Sequence, residues 1–213
     1  MAPNIESTVS IPVDDVELEG MFAVPDGAPG VVVFAHGSGS SRKSPRNNFV
    51  AEVIRARGVG TLLLDLLTEE EDRNRANRFD IPLLTDRLLA VTEWVRSREA
   101  TRDAAVGYFG SSTGAASALR AAVRGGDDID AVVSRGGRVD MAEDVLEAVR
   151  APTLFIVGGA DRQVLELNRE AYEQLACEKE LHVVEGAGHL FEEEHELEEV
   201  ADVAADWFET TLA

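Results

Sequence analysis

A serine set between closely spaced glycines is the strongest chemical signal in this chain. The apolar run AVGYFG leads into Gly110-Ser111-Ser112-Thr113-Gly114, and a segment of helical period follows. Such a turn from strand to helix exposes its central residue, and the flanking glycines let the two elements approach each other. A turn centred on Ser111 would instead place Phe109 and Thr113 at the tight positions, where side chains do not fit. The pattern therefore predicts that Ser112 is a nucleophile.

A serine hydroxyl becomes reactive when a base takes its proton and a carboxylate holds that base in the right tautomer. The chain supplies both groups after apolar runs, since TLFIVGGAD ends at Asp161 and VVEGAGH ends at His189. Parallel strands bring such positions to one edge of a sheet, so Ser112, Asp161 and His189 are predicted to meet as a catalytic triad. Asp161 also fits a helix N-cap, and His189 also fits a loop histidine without a role.

Negative charge that develops on an attacked carbonyl oxygen needs fixed N–H donors, an arrangement called an oxyanion hole. One predicted donor is the backbone amide of Thr113, which begins the helix after the nucleophile. The other is expected in the small-residue loop His36-Gly37-Ser38-Gly39, where Ser38 is the first choice and Gly37 the alternative. His36 is expected to orient this loop.

The elements that must position these residues follow from an alternation of short apolar runs with longer segments of helical period. This alternation predicts an α/β fold with a mostly parallel, twisted sheet and helices on both faces. Two alternating segments, STVSIPV and VELEGMFAVP, predict an antiparallel pair at the sheet edge. Interior strands are expected at 31–37, 61–67, 105–110, 129–134, 153–159 and 181–186. Helices are expected at 47–57, 81–97, 114–124, 141–149, 164–176 and 197–212, and a solvated loop at 68–79.

Four motifs in a fixed order, HGSGS, GSSTG, GGAD and GAGH, resemble those of the α/β-hydrolase superfamily. The compact size resembles its dienelactone hydrolase branch, and the resemblance spans nearly the whole chain. It implies a single domain over residues 1–213 with the α/β-hydrolase fold. A lid domain is not expected, because only SRGGRVD separates IDAVVS from the next predicted helix. Dienelactone hydrolases use a cysteine nucleophile whereas this chain has Ser112, so their lactone substrate is not carried over.

The charge balance excludes some partners. Asp and Glu total 40 against 20 basic residues, which gives a net charge of −20 and argues against binding to nucleic acid. Only Lys43 and Lys179 are lysines, a composition that resembles proteins from hosts with molar salt. Neither a membrane span nor a signal peptide is predicted, and Cys177 is the single cysteine, so a cytoplasmic location is expected.

An open cleft without a lid suits small, soluble esters, lactones or thioesters better than lipids, and no metal or organic cofactor is expected. Basic residues nevertheless cluster on the loops that leave the predicted strands: Arg42, Lys43, Arg46, Arg135, Arg138 and Arg162. We hypothesise that Arg135, together with Arg42, binds a substrate carboxylate or phosphate through the bidentate geometry of guanidinium. These residues also fit the alternative that they pair with acids to hold the loops.

The same triad on the same scaffold is compatible with more than ester hydrolysis. Acyl transfer and hydrolysis of a carbon–carbon bond are alternatives within the enzyme class. A non-catalytic binding module is the alternative from another class, although all three triad positions are filled in this chain.

Overall fold

The computed structural model describes residues 3–213, with side chains from residue 6 onward, as one mixed sheet between two layers of helices. The strands lie in the order β1-β2-β4-β3-β5-β6-β7-β8. Their bounds are β1 Pro3–Val13, β2 Val16–Pro25, β3 Gly30–Ala35, β4 Gly60–Leu64, β5 Ala105–Ser111, β6 Ala131–Arg135, β7 Thr153–Gly158 and β8 Lys179–Val184.

Strands β3 to β8 run parallel to one another, whereas β2 is antiparallel to both β1 and β4. This arrangement confirms the mostly parallel sheet and the antiparallel pair at one edge. The prediction that all later strands are interior is wrong for β8, which forms the opposite edge and is only partly buried. The run LHVVEG is too short for an alternation of apolar and polar residues to distinguish an edge strand from an interior one by sequence.

Helices cover both faces of the sheet. Their bounds are α1 Pro45–Ala56, α2 Glu69–Asp72, α3 Ile81–Arg96, α4 Thr113–Gly125, α5 Arg162–Gln174 and α6 Glu194–Thr211, with 3-10 helices at Arg75–Phe79, Gly126–Asp128 and Val139–Ala148. Among residues 3–213, no helix combines the length and the apolar character that crossing a bilayer requires.

Strand β5 separates two apolar cores, because successive side chains of a strand point to opposite faces. Tyr108 is fully buried in the core that includes Leu119 of α4. Its neighbour Phe109 is fully buried in the other core, with Ile54 of α1 and Phe208 of α6. Burial on both faces holds the carboxyl end of β5 rigidly, and the serine motif begins there.

The segment 68–79 is largely exposed to solvent, as its polar sequence predicts, but it is not a loop, because it contains α2 and the 3-10 helix Arg75–Phe79. Thr68 caps α2 and forms a reciprocal capping box with Glu71. The Glu71 carboxylate also accepts a hydrogen bond from Arg87 Nη2 at 2.7 Å, where Arg87 is a buried residue of α3. Charged side chains in this segment therefore form specific pairs that fold it against the domain.

Candidate active site

Ser112 sits in a strained turn between β5 and α4, with φ 49° and ψ −118°. Positive φ is costly for a residue with a side chain, so such a conformation persists only where the surroundings impose it. Here the backbone N–H of Ser112 donates to the carbonyl of Arg135 at 3.1 Å, and its carbonyl accepts from the N–H of Arg138 at 3.0 Å. The turn is thus fixed to the end of β6.

The two flanking glycines are required by close backbone contacts, as the sequence predicts. A Cβ on Gly114 would lie 2.0 Å from the carbonyl oxygen of Ala35, and one on Gly110 would lie 2.5 Å from the Cα of Ala115. Since real Cβ atoms never approach other atoms this closely, only glycine lets α4 start directly beside β3 and β5.

Asp161 and His189 meet at the same edge of the sheet. Asp161 precedes α5 in the loop after β7, and its Oδ2 lies 2.7 Å from His189 Nδ1. The Asp161 side chain makes no capping hydrogen bond to α5, so it binds the histidine rather than the helix. With Nδ1 held by the carboxylate, Nε2 is the ring nitrogen left for Ser112.

Ser112 and His189 line one cavity of about 700 Å³, although no direct hydrogen bond joins their side chains. The shared cavity gives one bound molecule access to both residues. A second histidine pair lies elsewhere: His182 Nε2 is 2.7 Å from Glu199 Oε1, between β8 and α6.

The predicted oxyanion donors are brought together by a contact between distant parts of the chain. The Ser38 N–H donates to Thr113 Oγ1 at 3.0 Å, so this amide is already bonded to a hydroxyl. Thr113 is the first residue of α4, and its own N–H has no acceptor within the helix. Gly37, the alternative donor, is packed against Ser112, since a Cβ there would lie 3.1 Å from Ser112 Cβ.

His36 fixes the loop that carries these amides. Its Nε2 accepts a hydrogen bond from the Leu66 N–H at 3.2 Å, so the ring proton resides on Nδ1 and is donated to the Gly37 carbonyl at 3.0 Å. The ring thereby links the loop after β3 to the segment after β4.

The cavity around Ser112 has more basic than acidic side chains. Lys43, Arg46, Arg78 and Arg135 line it, and the one acidic residue in its lining is Asp72. Arg78 donates to Asp72 Oδ2 at 2.7 Å, so these two charges compensate each other. Sequence reasoning missed Arg78, because its position depends on how the segment 68–79 folds.

Arg42 does not join this group, although the sequence analysis paired it with Arg135. Its guanidinium is bound to the carboxylates of Glu19 and Asp65, and its backbone N–H also donates to Asp65 Oδ1 at 2.6 Å. Glu19 belongs to β2, which lies far from Arg42 in sequence. Arg42 therefore holds its loop to the sheet.

Two further basic residues of the predicted cluster lie outside the cavity lining. Arg138 binds Asp140 at 2.8 Å, and this pairing raises the pKa of Arg138 and lowers that of Asp140. Arg162 is exposed at the start of α5. The structure thus divides the basic loop residues into paired, solvent-facing and cavity-lining groups.

Arg135 is the cavity residue whose charge is least compensated. Its Nη1 is buried and has no hydrogen-bond partner among the described residues. Burial, and then the nearby positive charge of Arg46, lower the pKa of Arg135 to about 10. The guanidinium carbon also lies 6.0 Å from the centre of the Phe191 ring, the outer limit of a cation–π contact.

Comparison with known proteins shows that residues 18–213 match the model of the dienelactone hydrolase family. The chain belongs to the dienelactone hydrolase family. A crystal structure of dienelactone hydrolase from Anabaena variabilis is 49% identical, covers 100% of both chains and superposes with a TM-score of 0.97. Est1E from Butyrivibrio proteoclasticus is 17% identical over 94% of this chain and 97% of its own, with a TM-score of 0.81, which shows a shared fold.

Curated relatives from two strains of Mycobacterium tuberculosis carry the name "Putative phosphoribosyl transferase". They are 53% identical to this dienelactone hydrolase family member over 206 residues, which are 97% of this chain and 46% of theirs. The chain therefore spans about half the length of the curated relatives it matches.

Proposed function

We propose that this dienelactone hydrolase family member is a serine hydrolase that cleaves a small, soluble carboxylic ester, lactone or thioester through an acyl-Ser112 intermediate. One observation carries the proposal: a carboxylate–imidazole pair, Asp161 with His189 at 2.7 Å, lies on the cavity that the strained Ser112 turn enters. Family membership and esterase neighbours in fold support the hydrolase class.

In the proposed first half-reaction, Ser112 Oγ attacks the substrate carbonyl carbon while His189 Nε2 takes the hydroxyl proton. Asp161 holds the ring through Nδ1 and stabilises the imidazolium that forms. The tetrahedral intermediate then collapses, the bond to the leaving group breaks, and His189 returns the proton to the leaving oxygen or sulfur. The products are the acyl-enzyme and an alcohol or thiol group, which leaves as a free molecule from an ester or thioester and stays attached to the acyl group of a lactone.

In the second half-reaction, water replaces the alcohol. His189 takes a proton from the water as its oxygen attacks the acyl carbon, and the second tetrahedral intermediate expels Ser112 Oγ, which recovers its proton from the imidazolium. The carboxylic acid then leaves. Each step uses groups that this chain supplies.

Both tetrahedral intermediates carry an oxyanion, for which we propose two backbone donors. The Thr113 N–H has no helical acceptor and lies at the N-terminus of α4, where the helix dipole favours negative charge. The Ser38 N–H is bonded to Thr113 Oγ1 in this structure, so it must share or exchange that bond to reach the oxyanion.

Hydrolysis of p-nitrophenyl acetate and p-nitrophenyl butyrate tests the proposal, with Ser112→Ala and Ser111→Ala as a matched pair. Ser111 also lines the cavity, but its buried hydroxyl has no hydrogen-bond partner in the described part of the chain and no role in the proposed mechanism. We expect Ser112→Ala to lower kcat by about 10³-fold or more and Ser111→Ala to change it by less than about threefold. Equal activity of the wild type and Ser112→Ala would refute the mechanism.

The name of the longer mycobacterial relatives does not lead to a second proposal. This chain matches 46% of their length, and the named transfer activity belongs to those whole proteins. The hydrolase proposal depends instead on the arrangement of Ser112, Asp161 and His189.

A further inference from the structure

Unpaired positive charge at the Ser112 cavity is unexpected in so acidic a protein. The chain has 40 acidic and 20 basic residues, so carboxylates are abundant. Within the described residues, Lys43, Arg46 and Arg135 line the cavity without a carboxylate partner, while Arg78 there is paired with Asp72. The cavity lining therefore carries a net positive charge, although the protein as a whole carries a net charge of −20.

The other arginines that are not exposed to solvent provide a comparison for Arg46 and Arg135. Every arginine of this kind in the described part of the chain has a side-chain partner except Arg46 and Arg135. The partnered ones are Arg42, Arg78, Arg87, Arg96, Arg120 and Arg138, which bind carboxylates, and Arg55, which binds the Thr61 hydroxyl. The two exceptions lie together on the cavity that contains Ser112.

The two guanidinium groups also repel each other. Both line the same cavity, and the charge of Arg46 contributes to the lowered pKa of Arg135. Arg135 Nη1 is buried without an acceptor, and a buried unpaired donor costs free energy. Two like charges on one cavity, one of them with an unsatisfied buried donor, are the conditions that a bound anion relieves.

We infer that Lys43, Arg46 and Arg135 form a subsite for a phosphate monoester group carried by the ester substrate, an inference that rests on the proposed hydrolase function. A phosphate monoester is a dianion with three acceptor oxygens, which matches several separate cations, whereas one guanidinium neutralises a carboxylate. The cavity also reaches the first residues of the twelve-residue helix α1, Pro45 and Arg46, where the helix dipole favours an anion.

Binding of phenyl phosphate to Ser112→Ala protein tests the subsite without requiring hydrolysis. We expect calorimetry at about 0.1 M ionic strength to show binding that Arg46→Gln weakens about tenfold or more, because a charge-assisted contact is lost. Arg162→Gln is the matched control: it removes the same charge from an exposed arginine outside the cavity, and affinity should change by less than about twofold. Absence of binding, or equal losses in both variants, would overturn the inference.

Substrate preference gives the second test. Three butyrate esters with 2-hydroxyethyl, 2-carboxyethyl and 2-phosphonooxyethyl alcohol parts differ mainly in charge. We expect kcat/KM to be about tenfold or more higher for the phosphorylated ester than for the neutral one, and Arg46→Gln to reduce this ratio towards one. A preference for the carboxylate ester over the phosphorylated one would refute the phosphate assignment.

The two tests also separate failure of the subsite from failure of the proposed function. Neutral ester hydrolysis that depends on Ser112, with no phosphate preference and no phenyl phosphate binding, would overturn the subsite and leave the hydrolase intact. Phenyl phosphate binding that depends on Arg46, in a protein that hydrolyses none of the three esters, would support the subsite and refute the hydrolase proposal.

Discussion

Replacing Asp161 with asparagine removes the carboxylate that binds His189 and that stabilises its imidazolium in the proposed mechanism, while the side-chain size is kept. At about 4 Å between charge centres and an effective dielectric constant of about 20, the attraction is about 4 kcal/mol. The side chains of His189 and Asp161 are 39% and 17% exposed, so water screens part of it. At about 1.4 kcal/mol per factor of ten, we expect kcat for p-nitrophenyl butyrate to fall about 10²- to 10³-fold, with KM little changed.

The chain offers a matched control for Asp161→Asn. Glu199 binds His182 at the same 2.7 Å, but this pair lies between β8 and α6 and does not line the Ser112 cavity. Glu199→Gln removes one carboxylate from one histidine in the same way, and kcat should change by less than about threefold. Similar losses in the two variants, or full activity of a folded Asp161→Asn protein, would refute the role given to Asp161.

Three other measurements test the fold and its electrostatics. Gly114→Ala should lower the free energy of unfolding by about 3 kcal/mol or more in urea, since its Cβ would lie 2.0 Å from a backbone oxygen. Gly188→Ala, which has nothing within 4 Å, should change it by less than about 0.5 kcal/mol. Arg135→Met should stabilise the ligand-free protein by about 1–3 kcal/mol at pH 7. Burial lowers the pKa of Arg135 to about 10 in the folded protein, so the unfolded wild type binds this proton more tightly than the folded one. The wild type therefore gains stability above pH 10, and the advantage of the methionine variant should shrink there. A melting temperature that rises by about 5 °C or more between low and molar KCl would support salt adaptation of a chain with net charge −20, and an unchanged value would contradict it.

The sequence predicts the fold and the placement of the proposed triad because their signals are local. Each of Ser112, Asp161 and His189 follows an apolar run that forms a strand, and parallel strands bring these ends to one edge. The glycines around Ser112 specify the turn by steric necessity, which the close approaches in the structure bear out. Such features need no knowledge of distant partners.

Other features could not be predicted, because they depend on which distant groups meet. Arg42 and Arg46 look equivalent in sequence, yet Arg42 binds Glu19 on β2 while Arg46 faces the cavity unpaired. Similarly, the Ser38 N–H donates to Thr113, which lies 75 residues away along the chain. No periodicity or motif encodes these choices among abundant acids and hydroxyl groups.

The segment 68–79 shows how polar composition misleads when charges form specific pairs. Its acidic run predicts a solvated loop, and the segment has no buried residue, yet Thr68 and Glu71 form a capping box and Glu71 binds the buried Arg87. Asp72 and Arg78 from the same segment line the cavity. Sequence analysis therefore located the proposed catalytic groups but missed part of the surface around them.

The central claim is that Ser112 is the nucleophile, and covalent labelling with a fluorophosphonate followed by peptide mass spectrometry measures this directly. We expect one adduct, on the peptide that contains Ser112, which disappears in Ser112→Ala and persists in Ser111→Ala. An adduct on another residue, or labelling that survives in Ser112→Ala, would contradict it.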